Sequence, residues 1–422
     1  MPSFKRLEGD KKCDVLIIGG GMAGILTAYL LEKQGTNYIL VEKDRICGGT
    51  TGNTTAKITY QHGLIYDKLL KSLGRNAAQG YYLANKEAFE KLCALAQDAD
   101  CSFERKDNYV YTATSPDKIE RELEAMKTIG CKAEYAAQLP LPIYTECAVK
   151  VKNQAQFNPL QFVAHIAKDL NIYENTFVRE MRGKTAVTEK GKIRADKVIV
   201  CTHFPFINKH GSYFLKLYQH RSYVIALKNA ADVNGMYLDE NKSGLSFRNY
   251  RDYLLLGGGS HRTGKQGGSY AELRRIAGEK YPQAQEVCHW AAQDCMSLDA
   301  MPYVGRYSQS TAGLYTATGF NKWGMTGSML SALMLSTMVS GGKSKYAGLF
   351  SPSRSILKPQ LLANGFEAVV NLLTPTAKRC PHLGCALKWN PVEHTWDCPC
   401  HGSRFTKDGR VIENPANGNL KK

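Results

Sequence analysis

A buried strand, a glycine turn, a helix and a second strand follow one another within residues 13–42, and this run constrains the fold more than any other feature of the 422 residues. CDVLII is a continuous apolar run, the kind buried on both faces of a parallel sheet. GMAGILTAYLLEKQG has helical spacing and stops at Gly35, and NYILVEK is the next strand. Parallel neighbours need a crossover connection, which the helix supplies. The turn reads Gly19-x-Gly21-x-x-Gly24. Gly19 permits the tight turn, Gly21 lets backbone approach a pyrophosphate, and Gly24 allows the helix to pack close to the strand. The phosphates then rest on the helix N-terminus, at Met22 and Ala23. Glu42 ends the second strand, with Lys43 beside it, and a carboxylate there accepts hydrogen bonds from a ribose. The run predicts an α/β dinucleotide-binding domain.

Further along, helical spacing marks 76–100, 117–130, 158–170, 270–280 and 324–340. Short strands are expected around Val178 and Val187, and buried ones at 197–201 and 313–318. Residues 220–260 read as antiparallel strands joined by polar turns. A boundary is expected near 341–360, where GGKSK, SPSRS and KPQ cluster, before one apolar helical face at 360–373. These features divide the chain into an oxidoreductase-sized unit (1–345), a linker with a helix (346–374) and a small C-terminal unit (375–422).

That last unit is rich in Cys, His, Pro, Gly and Trp, and four of the thirteen cysteines fall within 380–400. CPHLGC (380–385) and CPCHGS (398–403) form two half-sites, with fifteen residues between His382 and Cys398. Each half-site is a tight turn able to aim two side chains at one metal pair, and Gly384 and Gly402 let the backbone come close. Two thiolates and two imidazoles (Cys380, His382, Cys398, His401) are the set a Rieske-type [2Fe–2S] centre requires. A structural zinc site is the alternative, since Cys2His2 also suits tetrahedral Zn²⁺. The Cys-x-His spacing and the additional Cys385 and Cys400 favour iron.

The two hexapeptides resemble those of the Rieske proteins of respiratory and photosynthetic cytochrome complexes. The resemblance implies that Cys385 and Cys400 pair as a disulfide and that Ser403 donates a hydrogen bond to a bridging sulfide. It also places Phe405 where that family has a tyrosine donating to a ligand sulfur, which implies a lower potential here. The β-sandwich base of that family has no counterpart upstream of Cys380, so the expected unit is a small all-β cluster-binding subdomain needing outside support. In a reducing compartment two buried thiols remain the alternative to the disulfide.

GGTTGNTTAK (48–57), CTHFPF (201–206) and GFNKWGMTG (319–327) resemble the D-amino-acid-oxidase, sarcosine-oxidase and glycine-oxidase family over about residues 10–350. The dinucleotide is therefore expected to be FAD. The resemblance implies Thr50 and Thr51 at the pyrophosphate and Val178 at the adenine. It puts Gly319, Phe320, Gly324, Met325 and Thr326 at the ribityl and pyrimidine end, and an Asp-x-x-Pro-x-x-Gly element at Asp299, Pro302 and Gly305. It also implies an α+β substrate domain inserted into a Rossmann-like one. The flavin-binding segments lie at about 10–80, 150–215 and 295–345, and the substrate segments at about 80–150 and 215–295. Lys57, Gln61, His62, Lys322 and Trp323 follow the cofactor motifs and are the candidate flavin-face, catalytic residues. Solvated lysines and a structurally satisfied histidine are the bland alternatives. Arg221, Arg248 and Arg262 are candidates to clamp a substrate carboxylate. Cys295 is read as an inert buried thiol, with covalent flavin attachment as the alternative.

The formal charge of +17 fits a soluble basic surface, an acidic electron acceptor such as a ferredoxin or flavodoxin, or an anionic substrate. Basic residues are scattered, which disfavours nucleic acid. The first residues lack an export signal and the longest apolar stretch is too short to span a bilayer, so a cytoplasmic protein with no membrane partner is expected. The expected function is oxidation of an amine or amino acid by hydride transfer to flavin, with electrons relayed singly to the cluster and an external acceptor. A dehydrogenase is expected rather than an oxidase. The alternatives are an electron-transfer or redox-sensing protein without amine turnover, an NAD(P)H-reduced electron carrier, and a tRNA-modifying flavoprotein.

Overall fold

In the computed structural model, which describes residues 1–241 and 244–421, three sheets organise the chain. Lys422, the last residue of the expected cluster unit, lies outside the described residues. The first sheet has eight strands. Lys11–Ile18 is central, flanked in parallel by Lys192–Val200 and Tyr38–Val41, with Leu314–Thr318 and Ile172–Tyr173 continuing the parallel order outward. Helices Met22–Lys33 and Gly324–Val339 pack together on one face. The first ends as read from sequence: Gly35, at φ +67°, turns the chain out of the helix. Around Val178 the expected strand is displaced: the hairpin is Glu180–Arg182 with Thr185–Val187, and Val178 precedes it, buried.

The second sheet has nine strands and is almost wholly antiparallel, running from Gln285–Ser297 through Leu217–Lys228, Tyr253–Arg262 and Ser246–Tyr250 to Glu104–Thr112 and Cys147–Gln156. Its one parallel pair is Met236–Asp239 against Glu104–Thr112. The helix expected from 76 begins earlier, at Ile65, and kinks at Gly74 (φ +79°), which breaks the periodicity that sequence reading depends on.

The third sheet is a four-stranded meander, Lys388–Asn390, Thr395–Asp397, Arg404–Thr406 and Val411–Glu413. Its core is small: the cluster cysteines, Leu387, Phe405 and Ala416. The segment before it is packed rather than loose. Phe350 is buried, and Arg354 stacks on Tyr303 while gripping Asp299 through two 2.7 Å bonds. The Asp-x-x-Pro-x-x-Gly element thus anchors the connection, since Arg354 also donates to the carbonyls of Met301 and Pro302.

Candidate functional site

The glycine turn opens onto a cavity of about 700 Å³. Gly19 (φ +111°) lies so close to the next strand that a Cβ would fall 2.5 Å from the Cys201 carbonyl oxygen. At Gly24 a Cβ would meet the Gly19 oxygen at 1.9 Å, which excludes any side chain. Gly21 faces the cavity, along with Gly19, Met22 and Ala23. Its lining includes Glu42, Lys43 and Val178, Thr50 and Thr51, and Phe320, Lys322, Gly324 and Met325. Gly319 and Thr326 sit behind that wall, Thr326 bonding the Thr59 backbone from both sides of its hydroxyl. Glu42 accepts from the Gly20 and Asp44 amides, and its burial raises the carboxyl pKa. A cavity lined by a carboxylate, a helix N-terminus and a lysine fits a flavin dinucleotide.

Among the cavity residues that sequence reasoning missed are two buried ionisable groups. His203 and Asp294 line the wall near Lys322 and Arg221. Burial raises the pKa of Asp294 and lowers that of His203. Asp294 lies on a strand opposite His220, and nothing in its sequence neighbourhood sets it apart. His203 stood inside CTHFPF and could have been singled out.

The candidate flavin-face residues separate on inspection. His62 has both ring nitrogens engaged, Nδ1 with the Tyr81 hydroxyl (2.7 Å) and Nε2 with the Thr59 carbonyl (2.8 Å). It stacks on Trp323 at 4.9 Å, and burial pushes its pKa down to about 3. A neutral imidazole with both nitrogens occupied is suited to positioning Trp323 rather than to moving a proton. Gln61 is also consumed, donating to the Val149 carbonyl and accepting from Asn108. Lys322 lines the cavity and bonds the Ser260 hydroxyl at 2.7 Å. Lys57 lies three residues beyond Thr54, a cavity residue, and its pKa is pushed down to about 7 by burial and by Arg248. Cys295 is buried beside Thr318 outside the cavity lining, its thiol pushed up to about 12 by burial.

The three arginines also part company. Arg221 forms a two-pronged pair with Glu393, and Arg262 donates to Pro399, Cys400 and Asn364. Both are spent on the C-terminal unit. Arg248 is 3% exposed, and its Nε and Nη1 have no hydrogen-bond partner. Gln156, paired across the sheet with Lys57, leaves its Oε1 equally unpartnered.

At the other end the two hexapeptides fold into matching loops. In one, the Cys380 amide donates to Cys385 and Gly384 donates back to Cys380; in the other, Cys398 donates to Ser403 and Gly402 back to Cys398, all at 2.9 Å. Gly384 and Gly402 have φ of +79° and +78°, which makes the turns possible. The loops pair the two sulfurs with each other and the two imidazoles with each other. The Cys380 and Cys398 sulfurs are hydrogen-bonded, which pulls Cys380 down to about 7 and pushes Cys398 up. Two adjacent buried sulfurs can both be thiolates only with a cation between them. The His382 and His401 rings lie 4.9 Å apart, and the Nδ1 of each is buried without a partner. Burial pushes their pKa values to about 4 and 3, giving the neutral imidazoles that metal binding needs. Their Nε2 atoms bond outward, to Asn208 and to the Phe214 carbonyl, both at 3.0 Å. Cys385, Cys398 and Cys400 also lie close enough to suggest a metal site, but Cys385 and Cys400 are joined in a disulfide and have no thiolate to offer. Cys380, Cys398, His382 and His401 are left as the residues that would hold a [2Fe–2S] cluster. Phe405 is fully buried among the cysteines, and the Ser403 hydroxyl bonds the Cys380 sulfur and accepts from Ala416.

The two sites share a wall. Val411, Ile412, Glu413, Asn414 and Ala416 of the C-terminal unit line the dinucleotide cavity. His203 bonds the Gln219 side chain (3.0 Å), which donates to the His401 carbonyl (2.9 Å), so two hydrogen bonds connect cavity wall and cluster loop. Gln293 makes a parallel link: its amide donates to Gly402 and its carbonyl accepts from Thr50.

Residues 14–338 match the FAD-dependent oxidoreductase family, and 371–422 match the Rieske [2Fe-2S] domain. The Bacillus subtilis protein YhfW, named as a Rieske 2Fe-2S iron-sulfur protein, is 34% identical over 99% of this chain and 94% of its own length. The cytochrome b6-f complex iron-sulfur subunit 3 of Nostoc is 54% identical over 37 residues, 9% of this chain and 21% of that subunit. Among solved structures, glycine oxidase from Geobacillus kaustophilus superposes with a TM-score of 0.69 at 18% identity, covering 82% of this chain and 99% of that one. L-proline dehydrogenase from P. horikoshii gives 0.68 at 18% identity, over 82% and 98%. The chain belongs to the FAD-dependent oxidoreductase family and carries a Rieske [2Fe–2S] domain at its C-terminal end.

Proposed function

We propose that this protein oxidises an amine bearing a carboxylate, an amino acid in the simplest case, and passes the electrons through its own cluster to an external acceptor. When bound, the flavin supplies a two-electron hydride acceptor and the cluster a one-electron carrier. The observation that carries the reading is the pair of hydrogen bonds from His203 through Gln219 to the His401 loop, because it ties the flavin end of the cavity to a cluster ligand.

The chain's own groups have separable tasks in this reading. Arg248, with unspent donors, holds the substrate carboxylate, and Lys57 beside it adds positive charge. Lys322, on the cavity wall, stabilises negative charge that develops on the ring system during reduction. Trp323, stacked on His62, excludes water from that end. Glycine oxidase and L-proline dehydrogenase act on such substrates by name, which supports the substrate class. The division at residues 345 and 375 follows from the same reading. Nine free thiols besides Cys380 and Cys398 accord with a reducing, cytoplasmic setting, and the +17 charge with an acidic acceptor such as a ferredoxin or flavodoxin.

Anaerobic addition of amino acids and amines, followed by visible absorbance and electron paramagnetic resonance, tests this. Bleaching of the flavin followed by appearance of the reduced-cluster signal is expected. Rapid peroxide formation in air with an unchanged cluster would refute the relay, and no bleaching by any amine would favour a redox sensor.

A further inference from the structure

The helix Pro359–Leu373 is docked inside out. Gln360, Asn364, Glu367 and Asn371 recur at spacings of four, three and four, which puts them on one helical face. That polar face is turned to the protein: Asn364 and Asn371 are 6% and 2% exposed. Asn364 accepts from Arg262 and Glu367 pairs with Lys265 at 2.6 Å. The Asn371 carbonyl accepts from Ala386 in the first cluster loop. The opposite face, Leu362, Phe366, Val369 and Leu373 at the same spacing, points away from the molecule, with exposures of 78%, 69%, 55% and 76%. Leu372 and Leu383 extend the patch onto the cluster loop.

Burying amides and a carboxylate while presenting a leucine–phenylalanine stripe to water is the reverse of what a water-facing helix does. The charge around it selects the occupant. Residues 341–392 hold seven basic residues and one acidic, and that acidic residue, Glu367, is the one turned inward. Asp299 takes Arg354 and Glu87 takes Lys345; Lys358 precedes the helix, and Lys378 and Arg379 follow it. A second copy would oppose like charges. An apolar stripe flanked by cations is the make-up of a helix lying in the headgroup layer of an anionic bilayer.

We propose that this helix docks the protein peripherally on an anionic lipid surface, with Leu362, Phe366, Val369 and Leu373 inserted and the flanking basic residues on the phosphates. This goes beyond the amine-oxidising reading and stands independently of it. Among the described residues no helix is long and apolar enough to cross a membrane, so the attachment is one of lying on, not spanning. It revises the expectation of no membrane partner.

Flotation of the full-length holoprotein with vesicles of phosphatidylcholine containing about one-third phosphatidylglycerol tests it. Binding is expected at low salt, weaker by about tenfold on pure phosphatidylcholine. Replacing Phe366 and Leu373 together by Gln should lower it by about tenfold or more with flavin and cluster spectra unchanged. A Phe366→Trp variant, which keeps the patch, should show emission shifted to the blue only with anionic vesicles. Absence of flotation on both vesicle types overturns the proposal. So does a dimer in sedimentation that Phe366→Gln dissociates while vesicle binding is absent, since the face would then belong to a second copy.

Discussion

The two ends of the chain hold their prosthetic groups by opposite means. The dinucleotide cavity is shaped chiefly by backbone: a glycine turn, a helix terminus and strand ends resting on a large apolar core. The cluster loops rely on four side chains over a core of seven buried residues, stapled by one disulfide and by charge. Arg221 reaches from the nine-stranded sheet to Glu393 and Glu413, which also meet Arg404, itself bonded to Asp397. A backbone-built site spreads its dependence over many residues, whereas a side-chain-built one fails at a single substitution.

The strongest challenge to that contrast is Cys398→Ser. Iron and acid-labile sulfide should fall to near zero while the flavin stays bound; loss of both together would show that the two ends are one cooperative unit. Next comes Arg221→Met. Removing one partner of a buried ion network typically costs about 3–5 kcal/mol, so cluster absorbance should be lost at a lower temperature than flavin release. Simultaneous loss would again merge the two regions. Arg248→Met probes the substrate side and should raise KM for an amino acid about a hundredfold, roughly 2.7 kcal/mol. An amine without a carboxylate should be affected far less.

Lys57 supplies a pH signature. Its folded value of about 7 lies below the ordinary 10.5, so the cation is present below about pH 7 and lost above it. kcat/KM for a carboxylate-bearing substrate should carry a descending limb through that region, by up to about tenfold per pH unit, which Lys57→Met removes. A profile identical in both proteins would take Lys57 out of substrate binding. The smallest effect is Phe405→Tyr, which offers a donor to the buried sulfurs. It should raise the cluster potential by roughly 50 mV, the equivalent of about 1 kcal/mol for one hydrogen bond. An unchanged or lower potential in a redox titration would refute the proposed role of that position.

Most of this was legible before the fold was seen, for a physical reason. Glycines at 19, 21 and 24 and ligands at 380, 382, 398 and 401 are fixed by local geometry, and local geometry leaves a pattern in sequence. Tertiary proximity leaves none. His62 read as a flavin-face residue because it follows a cofactor motif, yet the fold spends both its nitrogens on Thr59 and Tyr81. Asp294 and Gln219 became important only once strands far apart in the chain were laid beside the cavity and the cluster loop. The helix at 359–373 is legible from its apolar face, but periodicity does not say which side meets water.

The two imidazoles of the cluster site, alike in sequence, are not alike in surroundings. His401 is sealed, 4% exposed, in the loop that reaches the flavin cavity through Gln219, while His382 is half-buried and tethered only to the Asn208 side chain. In the relay proposed above, electrons would enter on the sealed His401 side and leave on the more open His382 side. Packing alone would give such a relay a direction, since the two imidazoles differ in exposure.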